Sequence, residues 1–195
     1  SGVFKGFYKD KNTNVGKFGG AAENCLERIK GKIEILVPVL SNYHSDIVLH
    51  QGDTNKLAKE LKGLDIAYLD PPYNQHPYGS NYFMLNTICN YKLGDKLSKV
   101  SGIPDDWNKS VYNKKSKALQ EFSQLIKDLD AKYIIVSYNS EGFISKDDMV
   151  KMLKENGTVK TIEIEYNAFR GSRNLANRDL YVNEYLFVLK KEGKQ

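Results

Sequence analysis

The residues of this 195-residue chain best suited to chemistry lie in one run, Asp65-Ile66-Ala67-Tyr68-Leu69-Asp70-Pro71-Pro72-Tyr73. An apolar strand runs into a carboxylate, two prolines and an aromatic ring. Adjacent prolines remove two backbone donors and fix φ, so the strand stops there and the loop that follows is stiff. Asp70 and Tyr73 are thereby held at the C-terminal end of a buried strand, where open α/β sheets bind ligands. A carboxylate and a ring on a stiff loop suit an amino group gripped by hydrogen bonds while its own ring is stacked. An ordinary proline turn would use the same residues, so the surroundings must decide.

The elements that must position this loop alternate along the chain. Ile47 to His50 reads as a strand closing at Gly52-Asp53, and Thr54 can cap a helix carrying Leu57 and Leu61 that Gly63 stops. Ile66 to Leu69 is a short, continuously apolar strand, as expected where both faces are covered. Ser116 to Leu129 places Leu119, Phe122, Leu125, Ile126 and Leu129 at helical spacing, and Tyr133 to Ser137 is another buried strand. Ser145-x-x-Asp148 resembles a capping box opening a helix with Met149, Val150 and Leu153, and Gly157 lies just past its end. Thr161 to Tyr166 and Glu184 to Leu189 form two late strands joined without a helix, which implies an antiparallel hairpin at one edge. The pattern is that of an α/β fold with a mostly parallel sheet between helices. Upstream, the first 20 residues read as irregular, Ala21 to Ile29 as a short helix, and Ile33 to Leu40 as β-rich, with Pro38 favouring an edge.

Length and composition narrow the class. A chain of 195 residues supports one complete core. No apolar stretch approaches the roughly 20 residues that span a bilayer, and no secretory leader pattern is present, so a cytosolic location is the default. Cys25 and Cys89 lack metal-ligand or CxxC spacing and read as reduced thiols. His44, His50 and His76 are scattered, and no metal site is expected.

The net charge of +5 permits a polyanionic partner without requiring one. Its placement says more than its total. Seven lysines lie between Lys92 and Lys117, among them Lys109, Lys114 and Lys115, against Asp95, Asp105 and Asp106. Between Asn167 and Arg178 there are three arginines (Arg170, Arg173 and Arg178) and no acid. Solvated surface accounts for most charge runs. The Arg, Asn, Ser and Gly mixture around Arg170 and Arg173 can also contact phosphates, with Gly171 allowing close backbone approach.

Asp70-Pro71-Pro72-Tyr73 resembles the DPPY motif of amino-methyltransferases. The stretch from Asp70 to Asn86 is similar to the DPPYNxxxYxxNY segment of bacterial D12-class adenine-specific DNA methylases. Ser137 to Gly142, Asn183 to Phe187 and the Gly52-Asp53 pair also resemble that family's segments, in its order, across residues from about 46 to 190. The resemblance implies a Rossmann-like, S-adenosylmethionine-dependent methyltransferase sheet with an antiparallel C-terminal hairpin. It divides the chain into an irregular segment, 1–45, and a catalytic subdomain, 46–195. It also implies double-stranded DNA as substrate and a cognate restriction endonuclease as counterpart.

On that resemblance Asp70 and the Pro71 carbonyl accept hydrogen bonds from the adenine amino group. Pro71 and Pro72 offer no competing donor, and Tyr73 stacks on the base. Positioning then carries most of the work, and the target nucleotide must be flipped out of the duplex. Asp53 and Asp70 fall at cofactor-contacting positions, although Asp53 would equally serve as a helix cap. Lys109, Lys114, Lys115, Arg170 and Arg173 are the expected DNA contacts. The family's FxGxG cofactor loop has no clear counterpart, Phe18-Gly19-Gly20 being the nearest. The expectation is therefore a C-terminal portion of a longer enzyme, its sheet incomplete at the N-terminus and its exposed face prone to dimerise. Methylation of cytosine N4, of RNA adenine or of a protein glutamine remains open. So does a non-catalytic nucleic-acid-binding module with the same fold.

Overall fold

Apolar runs with period two and apolar stripes with helical period become strands and helices because each buries one face against the other. The computed structural model describes residues 7–9, 16–18, 34, 36–92, 94–98, 103–167 and 181–192. The chain divides into two units, Ser1–His50 with Tyr82–Asn108, and Gln51–Asn81 with Lys109–Gln195. Among the described residues no helix is long and apolar enough to cross a membrane.

In the first unit, β1 (Phe7–Lys9) pairs antiparallel with β2 (Gly16–Phe18), Phe7 opposite Phe18. This corrects the irregular reading of the first 20 residues. Residues 36–50 form neither helix nor strand, so the strand expected at Ile47 to His50 is absent. Its side chains show why: Ile47, Val48 and Leu49 are all more than 70% exposed, Leu49 at 90%. A strand is stabilised by a ladder partner and a covered face, and among the described residues this segment has neither. The helix expected at Ala21 to Ile29 lies outside the described residues.

The second unit holds α1 (Thr54–Glu60), β3 (Leu64–Leu69) and the short α2 (Tyr78–Asn81). A helix of the first unit, α3 (Phe83–Asn90), follows in sequence; it and α2 had no counterpart in the sequence reading. The second unit resumes with a 3₁₀ turn (Val111–Asn113), α4 (Lys115–Asp128), β4 (Ala131–Asn139) and α5 (Lys146–Lys154). It ends with β5 (Gly157–Asn167) and β6 (Tyr181–Lys191).

The four-stranded sheet has the order β3-β4-β6-β5. β3 and β4 are parallel, with Ala67 opposite Ile134, and β6 runs antiparallel to both β4 and β5. The late hairpin thus forms as expected, with its second strand inserted beside β4 and β5 left at the edge. Gly157, at φ +150°, opens β5 so close to β6 that a Cβ there would stand 2.1 Å from the Lys190 carbonyl oxygen.

One face of the sheet carries the core. Ile134, Val136, Phe187 and Leu189 are fully buried against Phe122, Leu125 and Ile126 of α4 and Met149 and Leu153 of α5. Leu119, expected on this stripe, is 39% exposed; Ala118 is buried instead. The opposite face is open. Ile66 and Tyr68 of β3 and Ile164 of β5 are each about 60% exposed, which departs from the covered-both-sides reading of β3.

Candidate active site

β3 delivers Asp70, Pro71, Pro72 and Tyr73 at its C-terminal end, with Asp70 exposed and Tyr73 half-buried against the core. The prolines end the ladder here because neither has an N–H to donate. Beyond them the loop is stiffened from within: the Asn74 side chain accepts the His76 N–H at 2.9 Å. It is also tied from outside. The Tyr73 carbonyl accepts the Phe143 N–H at 2.8 Å, and the Asn74 carbonyl accepts the Asn113 side-chain amide at 2.7 Å.

The second wall is the turn after β4. Asn139 is 3% exposed; its side-chain oxygen accepts the Glu141 N–H at 2.7 Å, and its amide donates to Glu184 of β6 at 2.8 Å. Ser140 N–H donates to the Asn183 carbonyl at 2.8 Å, binding the turn to the same strand. Tyr138 lies edge-on to Tyr73, with ring centroids 6.2 Å apart and planes at 71°. The β4 turn thus holds Tyr73 directly, β6 braces that turn, and Asn113 holds the neighbouring Asn74.

Burial is the main cause that pushes the Tyr73 hydroxyl above its ordinary range, and Glu184, Glu141 and Asp70 add to it by charge repulsion. The ring is thus a neutral phenol at physiological pH, ringed by carboxylates. An electron-rich ring and nearby carboxylates favour a ligand that gains positive charge.

Asp53 caps α1, the one of the two residues, Asp53 and Thr54, that the sequence left open for this role. Its Oδ1 accepts the Asn55 N–H at 2.9 Å and the Lys56 N–H at 3.2 Å. Asp53 holds the cap because it stands immediately ahead of the first helical residue, where its carboxylate reaches the free N–H groups of the first turn. The 3₁₀ turn connects this helix end to the Tyr73 loop. Tyr112 donates to the Asn55 side-chain oxygen at 2.5 Å while its neighbour Asn113 holds Asn74. The turn also carries Lys114 and Lys115 into the N-terminus of α4, both exposed, and that first turn contains no acid. Lys109 is exposed just ahead of it. Arg170 and Arg173 lie outside the described residues.

Glu141, Gly142 and Glu184 fall within the segments whose resemblance the sequence already showed, whereas Tyr112, Asn113 and Phe143 were not singled out from sequence. Position after a strand could have suggested Phe143. Nothing local marks Tyr112 or Asn113, which act across 57 and 39 residues of chain.

Comparison with known proteins places the chain in a family. The chain is 36% identical over 186 residues to "Type II methyltransferase M.NlaIII" of Neisseria lactamica, covering 93% of this chain and 54% of that relative. It is 35% identical over 188 residues to "Modification methylase StsI" of Streptococcus sanguinis, covering 93% and 28%. It is also 30% identical over 178 residues to "Type II methyltransferase M.FokI" of Planomicrobium okeanokoites, covering 91% and 27%. The chain thus spans from about a quarter to about half the length of these relatives. No solved structure matches it. Residues 3–152 match the D12 class N6 adenine-specific DNA methyltransferases, and the chain belongs to that family.

Proposed function

We propose that this chain carries the base-gripping part of an enzyme that transfers a methyl group from S-adenosylmethionine to adenine N6 in double-stranded DNA. The observation that carries the reading is the Tyr73 loop: a carboxylate, two donor-free prolines and a half-buried ring at a strand end, restrained from the β4 turn and the 3₁₀ turn. Adenine N6 is a poor nucleophile because its lone pair is delocalised into the ring. Asp70 and the Pro71 carbonyl would accept its two N–H bonds and draw that pair toward sp3 character. Pro72 keeps a competing donor away, and Tyr73 stacks on the base and favours its growing positive charge. The excess N6 proton can pass to Asp70 or to water.

The acidic groups fit the cofactor by chemistry. Asp53 and Asp70 are acceptors for a ribose diol or an ammonium, and the carboxylates around Tyr73 suit a sulfonium. When bound, S-adenosylmethionine supplies the methyl, its carbon–sulfur bond breaking as the carbon–N6 bond forms and the electron pair passing to sulfur. The DNA backbone would be met by Lys109, Lys114 and Lys115, with Arg170 and Arg173. Lysines where a helix N-terminus favours acids leave a positive end that a phosphate would neutralise. A restriction endonuclease of matching specificity is the expected counterpart of such an enzyme. A cytosolic location suits that pairing.

The test is methylation of adenine-unmethylated genomic DNA by the full-length protein, with the product nucleoside identified after digestion. Asp70→Ala is expected to remove most transfer while circular dichroism shows the fold retained. Near-normal turnover in that variant, or methylation at cytosine, would overturn the reading.

A further inference from the structure

The β4 turn holds the base-gripping loop by more than one bond. The Phe143 N–H and the Tyr138 hydroxyl both reach one atom, the Tyr73 carbonyl oxygen, at 2.8 and 3.5 Å. The same hydroxyl accepts the Ile144 N–H at 3.3 Å, which leaves its own proton for the longer contact to Tyr73. Tyr138 is 3% exposed, so its ring has no room to swing. Behind that ring lies Gly142. A Cβ at 142 would stand 2.3 Å from Tyr138 Cε1 and 2.8 Å from Cζ. Gly142 does not occupy the positive-φ region where Gly63 and Gly157 sit, so the demand for glycine here is steric. The ring of Tyr138 occupies the space a side chain would need, and its edge meets the Tyr73 ring.

We propose that Tyr138, lodged against Gly142, is a positioning residue that sets the ring plane of Tyr73 and through it the plane of the target base. The inference rests on the stacking role proposed above for Tyr73. In-line transfer is sensitive to misplacement on the order of 1 Å, so a tilt of the stacking ring acts on the chemical step more than on DNA affinity. Asn139, the last residue of β4, supports the device, because its bonds to Glu141 and to Glu184 of β6 fix where the turn starts.

The experiment uses the full-length protein, adenine-unmethylated genomic DNA and radiolabelled S-adenosylmethionine, with Tyr138→Phe, Gly142→Ala and Tyr73→Ala as variants. Tyr138→Phe keeps the ring and loses the hydroxyl. It is expected to stay folded and lower kcat roughly 3- to 10-fold while KM for DNA changes less than about 2-fold. In protein labelled with 3-fluorotyrosine, the Tyr73 resonance, assigned by its loss in Tyr73→Ala, shifts or broadens in Tyr138→Phe. Gly142→Ala pushes on the ring and lowers kcat further; where it does not fold, Tyr138→Phe carries the test. A folded Tyr138→Phe with unchanged kcat and an unmoved Tyr73 resonance, beside an impaired Tyr73→Ala, overturns this proposal alone. Undiminished kinetics in Tyr73→Ala overturn the stacking role and this proposal with it.

Discussion

Tyr73 shows how one side chain can be both core and site. Its body packs on the core cluster, while burial first and then the charges of Glu184, Glu141 and Asp70 raise the pKa of its hydroxyl. Packing fixes the ring, so in the proposed role it would stack on a base without first losing conformational freedom. Tyr73→Ala is expected to weaken binding of a flipped base by roughly 1–3 kcal/mol, the range for base–aromatic stacking. Tyr73→Phe, which keeps the ring, should preserve most of that affinity. Fluorescence of 2-aminopurine at the target position reads this directly, and equal stacking in wild type and Tyr73→Ala would remove Tyr73 from the site. Asp70 differs in kind: it is exposed and packs on nothing, so its replacement tests chemistry with little risk to the fold.

Among the elements, the 3₁₀ turn and the N-terminus of α4 join the site to the expected phosphate contacts. Asn113 holds the Tyr73 loop, and Lys114 and Lys115 follow it in sequence. Neutralising either lysine is expected to lower the slope of log affinity against log salt by about one unit and to weaken binding alike across DNA sequences. Filter binding over a salt series measures it. A sequence-selective loss would point instead to base readout. The start of β5 makes a different demand. Gly157→Ala combines a φ of +150° with a 2.1 Å approach to the Lys190 carbonyl, and is expected to destabilise the protein by about 1–3 kcal/mol. Urea unfolding tests this, and an unchanged midpoint would mean that β5 and β6 separate at no cost.

For the molecule as a whole, the sheet is lopsided. One face is sealed by α4 and α5, while the other leaves Ile66, Tyr68 and Ile164 about 60% exposed. β3 pairs with β4 alone among the described strands, so its other edge is also open. Contiguous apolar surface and a free edge both favour association. The 195-residue chain, studied alone, is accordingly expected to dimerise or aggregate as concentration rises, which sedimentation equilibrium detects. In the proposed function Asp53 and Asp70 would supply only one wall of a cofactor site, so calorimetry on this chain is expected to find weak S-adenosylmethionine binding or none, and DNA methylation to be absent. Micromolar cofactor affinity for this chain would overturn that expectation.

The strand at Ile66 to Leu69, the stop at Pro71-Pro72, the helix of Phe122 to Ile126 and the late hairpin were all legible in sequence. Each follows from local chemistry: apolar periodicity, a missing donor, a turn without helix signals. The DPPY run and its ordered companions likewise pointed to the family before any coordinates. Ile47 to His50 misled because apolar composition marks strand propensity, whereas a strand exists only with a ladder partner. Whether Asp53 or Thr54 caps the helix was open in sequence, because local pattern places a helix start only to within a residue or two. Above all, the closure of the β4 turn and the 3₁₀ turn on Tyr73 joins residues 39 to 70 positions apart in sequence. Such contacts depend on how strands register in a sheet, which no local pattern encodes, and they decide whether a carboxylate and a ring become a site.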